Sequence, residues 1–342
     1  MNLNHPTQND TIFVTGGTGF LGKSLVPLLS SLGYTLRVLT RQPQQNTWLN
    51  AFPNVQVIYG DLTEATHVQS AMAGCRYVIH AAGLFSMWDQ AGDFDAHNVL
   101  ATQHVVDAAL ANEVERLVYV STIAVMGNPP PGTTITEQTP PAPADAYQRS
   151  KLAAEHVVHR AAESGFHTSI ARAGAYYGPY GDYAFNRLFF RDPMRGIIMQ
   201  MDGGHYVIFP AYIDDVARGI LATLLKGRAG EIYNICGEPI AHREAFDIIC
   251  RQAKLYWPRL NVPSWLGISM SRLLTVLAYV TGHEPFWPLN LRSYVFNDWN
   301  VSSEKARREL GFSTIPFEEG ACKTLHWYQS GCPPYPTPSS GA

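Results

Sequence analysis

The strongest constraint on this chain is a glycine run placed directly after a short apolar segment near its start. Thr11–Thr15 (TIFVT) reads as a β-strand, and Thr15-Gly16-Gly17-Thr18-Gly19-Phe20-Leu21-Gly22 follows it at once. Phe20–Leu32 then carries Leu21, Leu25, Leu28, Leu29 and Leu32 at helical spacing. In a strand–turn–helix setting the glycines have separate uses. Gly16 permits the tight turn, Gly19 lets the backbone approach a pyrophosphate, and Gly22 lets the helix pack on the strand. The helix N-terminus adds unpaired N–H groups and the positive end of a dipole. A glycine triplet alone would say little; the strand before it and the helix after it make it a dinucleotide turn.

The same strand-then-helix rhythm continues. Thr35–Thr40, Val55–Tyr59, Tyr77–Ala81 and Leu117–Ser121 are β-rich and apolar, mostly separated by stretches of helical character. Ser169–Arg172 and Glu231–Ile235 extend the series. This pattern predicts an α/β fold, a Rossmann-type doubly wound parallel sheet with a smaller C-terminal substrate-binding lobe. The core is expected over 9–175 plus 211–237, the lobe over 176–210 plus 238–331, and a disordered tail over 332–342. Asn128 to Ala144 is too rich in proline for a helix or central strand, and its length suggests a lid or a substrate-facing segment.

Composition narrows the class further. With 25 basic and 28 acidic residues the net charge is −3, which gives no support to nucleic-acid binding. The 5 cysteines show no Cys-x-x-Cys spacing, so a reducing cytoplasm is expected rather than a disulfide framework. The polar N-terminus shows no secretion signal. Ser264 to Val280 (SWLGISMSRLLTVLAYV) falls short of the ~20 apolar residues of a membrane span. Leu266, Met270, Leu273, Leu277 and Val280 recur as one face of an amphipathic helix, expected to pack on the protein or to cover substrate. Peripheral contact of 264–280 with a membrane stays open as a second reading.

At the end of the second strand the sequence is Leu39-Thr40-Arg41-Gln42, without the carboxylate that would bind a ribose 2′-hydroxyl. Arg41 therefore favours NADP(H), with NAD as the alternative and Arg37 as a candidate helper. Asp61 and Leu62 close the third strand, where Asp61 could accept from the adenine amino group or cap its own loop. Ala81 and Ala82 follow His80 with the small side chains a cofactor lying across them requires. His80 itself reads as a packed histidine.

Tyr147 and Lys151 open a helical run four residues apart, so they share one face. Carbonyl reduction needs a hydride on carbon and a proton on oxygen. A phenol at pKa ~10 handles that proton poorly at neutral pH, and a neighbouring ammonium is expected to lower it. Lys151 could also hold the nicotinamide ribose. Thr122, at the end of Tyr119-Val120-Ser121-Thr122, is placed to polarise the substrate oxygen, with Ser121 as its rival.

Taken in order, TGGTGFLG, GDL, HAAG, VYVSTIAVMG, YQRSK, ARAGAYYGP and YIDDVA make the chain resemble extended short-chain dehydrogenases/reductases, the NAD-dependent epimerase/dehydratase group. The late SSEKARRELGF and TLHWY look most like its 3β-hydroxysteroid dehydrogenase-like branch. The resemblance implies that Thr122, Tyr147 and Lys151 are catalytic and that Gly16, Gly19, Phe20 and Leu21 form the pyrophosphate turn. It makes Asn98 either a residue that orders the site or a helix N-cap. Two departures stand out. Where sugar-nucleotide enzymes of this group carry an Arg-Asp-Phe-like stretch, this chain has Ile208-Phe209-Pro210; the usual Arg-Pro reads Arg172-Ala173. With Trp88 nearby, the pocket is expected to be apolar. The resemblance then implies an NAD(P)-dependent oxidoreductase acting on a small hydrophobic ketone or secondary alcohol: sterol-like, flavonol-like or long-chain. An activated-sugar epimerase/dehydratase and a non-catalytic NADP(H) sensor are the alternatives. A homodimer through Ala101–Ala111 and Lys151–Ala162 is left open.

Overall fold

The computed structural model describes residues 10–88, 92–256 and 258–336. Its centre is a seven-stranded sheet: β1 (Thr11–Thr15), β2 (Thr35–Thr40), β3 (Val55–Tyr59), β4 (Tyr77–His80), β5 (Arg116–Thr122), β6 (Thr168–Ala173) and β7 (Ile232–Ile235). The order is β3-β2-β1-β4-β5-β6-β7 and every neighbouring pair is parallel. Helices cover both faces, which explains why the central strands are apolar throughout rather than alternating. Helix α1 (Gly22–Ser31) lies on one face; α2 (Ala65–Met72), α3 (Ala101–Ala111) and α4 (Ala146–Glu163) lie on the other. Helix α5 (Ile213–Lys226) completes the first layer. The strand order reverses between β1 and β4, so a crevice opens at their carboxyl ends.

Later segments build around this core. Short strand pairs join Ala175–Tyr177 to Pro210–Tyr212 and Met199–Met201 to Leu260–Val262. Helices α6 (His242–Ala253), α7 (Ser264–Thr281) and α8 (Phe317–Gln329) follow.

Three expectations change. First, the proline-rich 128–144 segment does not line the substrate cavity described below; it is a strap on the core. Its buried Ile135 bridges Val301, donating from its N–H to the Asn300 carbonyl at 2.8 Å and accepting from the Ser302 N–H at 2.9 Å. Second, Tyr335 of the expected tail packs on the core although its neighbours 332–334 and 336 are exposed, while 337–342 lie outside the described residues. The Trp327 Nε1–H donates to the Pro333 carbonyl at 3.0 Å, and the Tyr335 ring sits 4.6 Å from Trp48 and 5.0 Å from Tyr180. Third, α7 forms, but the leucine face turns outward. Gly267, Ser271 and Ala278 are its buried residues, while Leu266, Leu273, Leu277 and Val280 are exposed. Among the described residues no helix is long and apolar enough to cross a membrane.

Tyr335 ties the Trp48 region of the core to the Tyr180 loop of the lobe. Aromatic pairs of this kind contribute about 0.5–1.5 kcal/mol beyond their buried area. Tyr335→Ser is therefore expected to lower unfolding free energy by roughly 1–2 kcal/mol, measured by urea denaturation. An unchanged midpoint would mean that the Tyr335 contacts add nothing.

Candidate active site

The glycine turn and the end of β4 meet almost backbone to backbone. Gly16 has φ +71°, and a Cβ there would lie 2.7 Å from the Ala81 carbonyl carbon and the Ala82 nitrogen. A Cβ on Gly22 would lie 2.1 Å from the Gly17 oxygen, so helix α1 can start where it does only with glycine. Above this contact is a cleft of about 570 Å³ lined by Gly16, Gly19, Phe20, Leu21, Arg41, Asp61, Leu62, Ala81 and Ala82. All of these were expected there from the sequence. A glycine-rich bend under a long groove at the switch point fits a dinucleotide, whose phosphates Gly16–Leu21 would hold.

The residues around the cleft divide as follows. Arg41 is exposed at its rim, next to Gln42. Arg37 is not a helper: its guanidinium donates to the Ala71 and Ala73 carbonyls at 2.9 and 2.6 Å, away from the cleft. Asp61 lines the cleft while its Oδ1 accepts from the Thr63 N–H and hydroxyl, each at 3.0 Å. These two bonds and the nearby Arg41 outweigh desolvation and hold its carboxyl below the usual range. His80 is packed, as expected. Its ring nitrogens lie 2.7 Å from the Thr15 hydroxyl and 3.0 Å from that of Thr102, and burial drives its pKa down to about 3.

A second hollow, of about 250 Å³, adjoins the cleft. Phe20 and Tyr176, with ring centroids 5.6 Å apart, line both spaces and mark where they meet. Thr122 and Tyr147 lie in its wall among Phe85, Tyr183, Phe189 and Phe209. Phe85 packs edge-on against Tyr147 at 4.7 Å. Met87 rather than the expected Trp88 is in the lining. Ile208 and Phe209 line it too, and no Lys or Arg is among the described lining residues.

Thr122 and Ser121 divide as neighbours on a strand must, one to each face. The Thr122 hydroxyl faces the hollow, hydrogen-bonds Tyr147 and accepts from the Ala124 N–H at 3.1 Å. The Ser121 hydroxyl points into the core and donates to Glu155 Oε1 at 2.5 Å.

The electrostatics differ from the simple expectation that Lys151 lowers the Tyr147 pKa. Burial, with Tyr176 nearby, pushes the phenol well above its ordinary range, outweighing the Thr122 hydrogen bond. Tyr147 therefore rests as a neutral phenol, the form a proton donor needs. Lys151 is buried; its Nζ donates to the Val120 carbonyl at 2.8 Å and stands 4.3 Å from the centre of the Tyr119 ring. Burial drives its ammonium down to about 7, against the pull of Glu155. It lies beneath the cleft, 3.7 Å from where a Cβ on Gly83 would stand.

Two supporting features escaped the sequence reading. Glu155 is one turn beyond Lys151 and nearly fully buried. It accepts from Arg172 Nε at 2.9 Å and from a terminal guanidinium nitrogen at 2.6 Å. The Lys-x-x-x-Glu spacing on α4 was the available signal. The other is a π-helical turn over Asp95–Leu100. Asn98 sits in it, accepting from the Leu84 N–H at 2.7 Å and donating to the Leu84 carbonyl at 3.0 Å and the Ser150 hydroxyl at 2.9 Å. It ties the loop after β4 to α4 through Leu84 and Ser150 and is not an N-cap.

With this geometry in place, comparison with known proteins defines the class. The model of the NAD-dependent epimerase/dehydratase family matches residues 12–236. The chain belongs to that family of extended short-chain dehydrogenases/reductases, and its enzymes are NAD-dependent oxidoreductases and their kin. Among the relatives, the 4-hydroxy-2-methyl-3-oxo-4-farnesyl-3,4-dihydroquinoline-1-oxide ketoreductase of Stigmatella aurantiaca is 30% identical, over 88% of this chain and 91% of its own length. The 3 beta-hydroxysteroid dehydrogenase type 7 of Rattus norvegicus is 29% identical, over 93% of this chain and 94% of its own. Among solved structures, a dTDP-glucose 4,6-dehydratase from Streptomyces venezuelae with NAD bound is 26% identical at a TM-score of 0.75, covering 93% of this chain and 96% of that one.

Lys151 also sets a pH signature. Its folded value of about 7 lies below the ordinary 10.5, so its charge costs stability at acid and neutral pH. The cost fades as pH rises from about 7 into the ordinary lysine range. Lys151→Met is expected to be more stable than the parent at pH 6, by about 1–2 kcal/mol, with the gap closing towards pH 10. Equal destabilisation at every pH, by denaturant melts, would refute this account.

Proposed function

We propose that the chain is a reductase or dehydrogenase of a hydrophobic ketone or secondary alcohol, with NADP(H) as its preferred coenzyme. The observation that carries this reading is the aromatic hollow holding Tyr147 and Thr122, with no Lys or Arg among its described lining residues. A nucleotide diphosphate buried there would leave its charge unpaired, at a cost of several kcal/mol or more. That weighs against the activated-sugar alternative. An intact Thr122–Tyr147–Lys151 set weighs against a non-catalytic sensor. The ketoreductase and the hydroxysteroid dehydrogenase among the relatives are named for oxidoreductase chemistry of the proposed kind.

The residues divide the work. The bound coenzyme supplies or accepts the hydride. Thr122 orients the substrate oxygen by hydrogen bonding, and the neutral Tyr147 hydroxyl gives that oxygen its proton on reduction, leaving a phenolate that must be reprotonated; in the oxidising direction the phenolate form takes the alcohol proton. Lys151 and Glu155 form a buried charged layer beneath. Loss of the Lys151 proton near pH 7 would make the site sensitive to alkali. The aromatic wall excludes water and selects apolar substrates through burial.

Tyr147→Phe removes the transferable proton and little volume. Turnover with an apolar ketone and NADPH is expected to fall about a hundredfold to ten-thousandfold, with coenzyme affinity kept. Full activity in that variant would exclude the mechanism. For the coenzyme, Arg41→Ala is expected to weaken NADPH binding about tenfold or more while leaving NADH nearly unchanged, by fluorescence titration. Equal losses for both would remove Arg41 from the choice.

A further inference from the structure

We propose that the outer face of α7 seats this protein on a lipid surface. The hydrophobic effect should bury the large apolar residues of a helix; here the order is inverted. Trp265 is 68% exposed, Leu273 61%, Val276 62% and Val280 83%, while the buried residues of the helix are Gly267, Ser271 and Ala278. Exposed apolar side chains scattered singly need no explanation, but a contiguous ridge does. Ile197, Leu260 and Phe286, also exposed, add to the apolar surface of this lobe.

Three observations favour lipid over a protein partner. At 3.6 residues per turn the outward residues span a convex arc of roughly 160°. A fluid bilayer covers such a ridge without matching its shape, whereas a protein interface needs complementary packing. Charge agrees: α7 contains no Asp, Glu or Lys, and its exposed Arg272 suits anionic headgroups. The aromatics also fit, since Trp265 lies in the first turn and Tyr279 in the last, and these residue types favour the headgroup boundary.

The inner side of the same helix gives the contact a use. Met270 and Leu274 pack on a cluster containing Met87, Leu291 and Val295, and those three line the substrate hollow. One helix therefore separates the apolar hollow from the apolar outer face. A substrate dissolved in lipid would reach the enzyme without first crossing water. This part of the inference rests on the proposed function; the surface contact does not.

The test is flotation of the full chain with vesicles of phosphatidylcholine, alone or mixed with phosphatidylglycerol. The chain is expected to float with both, more strongly with the anionic mixture. The combined variant Leu273→Gln, Val276→Gln, Leu277→Gln and Val280→Gln should partition about a hundredfold less. Its thermal melt and its NADPH affinity should match those of the parent, showing an intact fold. Parent protein that stays with neither vesicle, or a variant that floats equally well, overturns the proposal. A parent dimer in sedimentation equilibrium that the variant splits, without vesicle binding, overturns it in favour of a second copy. Flotation needs no turnover, so binding without carbonyl reduction would sink only the enzymatic reading, and reduction without binding only this one.

Discussion

Where Gly16 passes over Ala81 and Ala82 there is no room for even one carbon atom, and the rest of the site is built outward from that contact. It lies where the strand order reverses, so the chain must open a crevice there, and the absent side chain leaves backbone as its floor. Neighbouring bonds keep the floor rigid. The Thr15 hydroxyl accepts from the Ala82 N–H at 3.1 Å and holds the buried His80 ring, and Asn98 clamps Leu84 just beyond. A Cβ on Gly83 would come within 3.0 Å of the Asn98 Oδ1, so the small residues after β4 accommodate the clamp as well as the groove.

Beneath that floor the protein keeps charges in a poorly solvating interior. Lys151, Glu155 and Arg172 are all nearly inaccessible to water. Breaking the Arg172–Glu155 pair by removing one partner leaves an uncompensated charge and costs about 3–5 kcal/mol, so those two hold each other in place, whereas Lys151 forms no ion pair with either. The geometry allots them different duties. Arg172 and Ser121 occupy the Glu155 carboxylate, while Lys151 turns to the Val120 carbonyl and the Tyr119 face. Lys151 therefore stands near its own titration point, and Tyr147, in an apolar wall, keeps its proton. An arrangement that made the phenol permanently acidic would be a poorer donor to a ketone oxygen.

The sheet and the coenzyme groove were legible because both follow from local rules. Doubly covered parallel strands must be apolar throughout, and only glycine fits the bend, so TIFVT followed by TGGTGFLG leaves little choice. The placement of Tyr147 and Lys151 one turn apart on a helix was legible through spacing, and that of Thr122 through its strand end. What could not be read depended on contacts distant in sequence. Ile135 meets Val301 across 166 positions of chain, and nothing near the prolines announces that partner. The sign of the Tyr147 shift depends on how deeply the ring is buried, which spacing does not encode. For α7, periodicity located the helix, but it cannot say which side faces the protein. Gly267 against Met201 allows a close approach, and that small-residue side went inward.

Solved structures with the same fold hold charged sugar nucleotides, so the fold alone does not select an apolar substrate. The proposed choice of an apolar substrate rests on the hollow, on what its walls can solvate. Asp182 and His242 are polar members of the lining, yet neither offers a phosphate a positive partner. Asp182 is an acid already paired with Arg191 at 2.9 Å, and burial drives the His242 ring down to about 4, leaving it neutral at physiological pH. Arg187, the nearby cation, is committed to Asp192 and to the Phe286 ring. A phosphate entering this space would lose its water and gain no counter-charge, whereas a polycyclic or prenylated body would lose only unfavourable contact with water. The same reckoning governs both sides of α7. The inner side excludes charge from the reacting centre, and the outer side leaves apolar surface unburied that only an apolar neighbour can relieve.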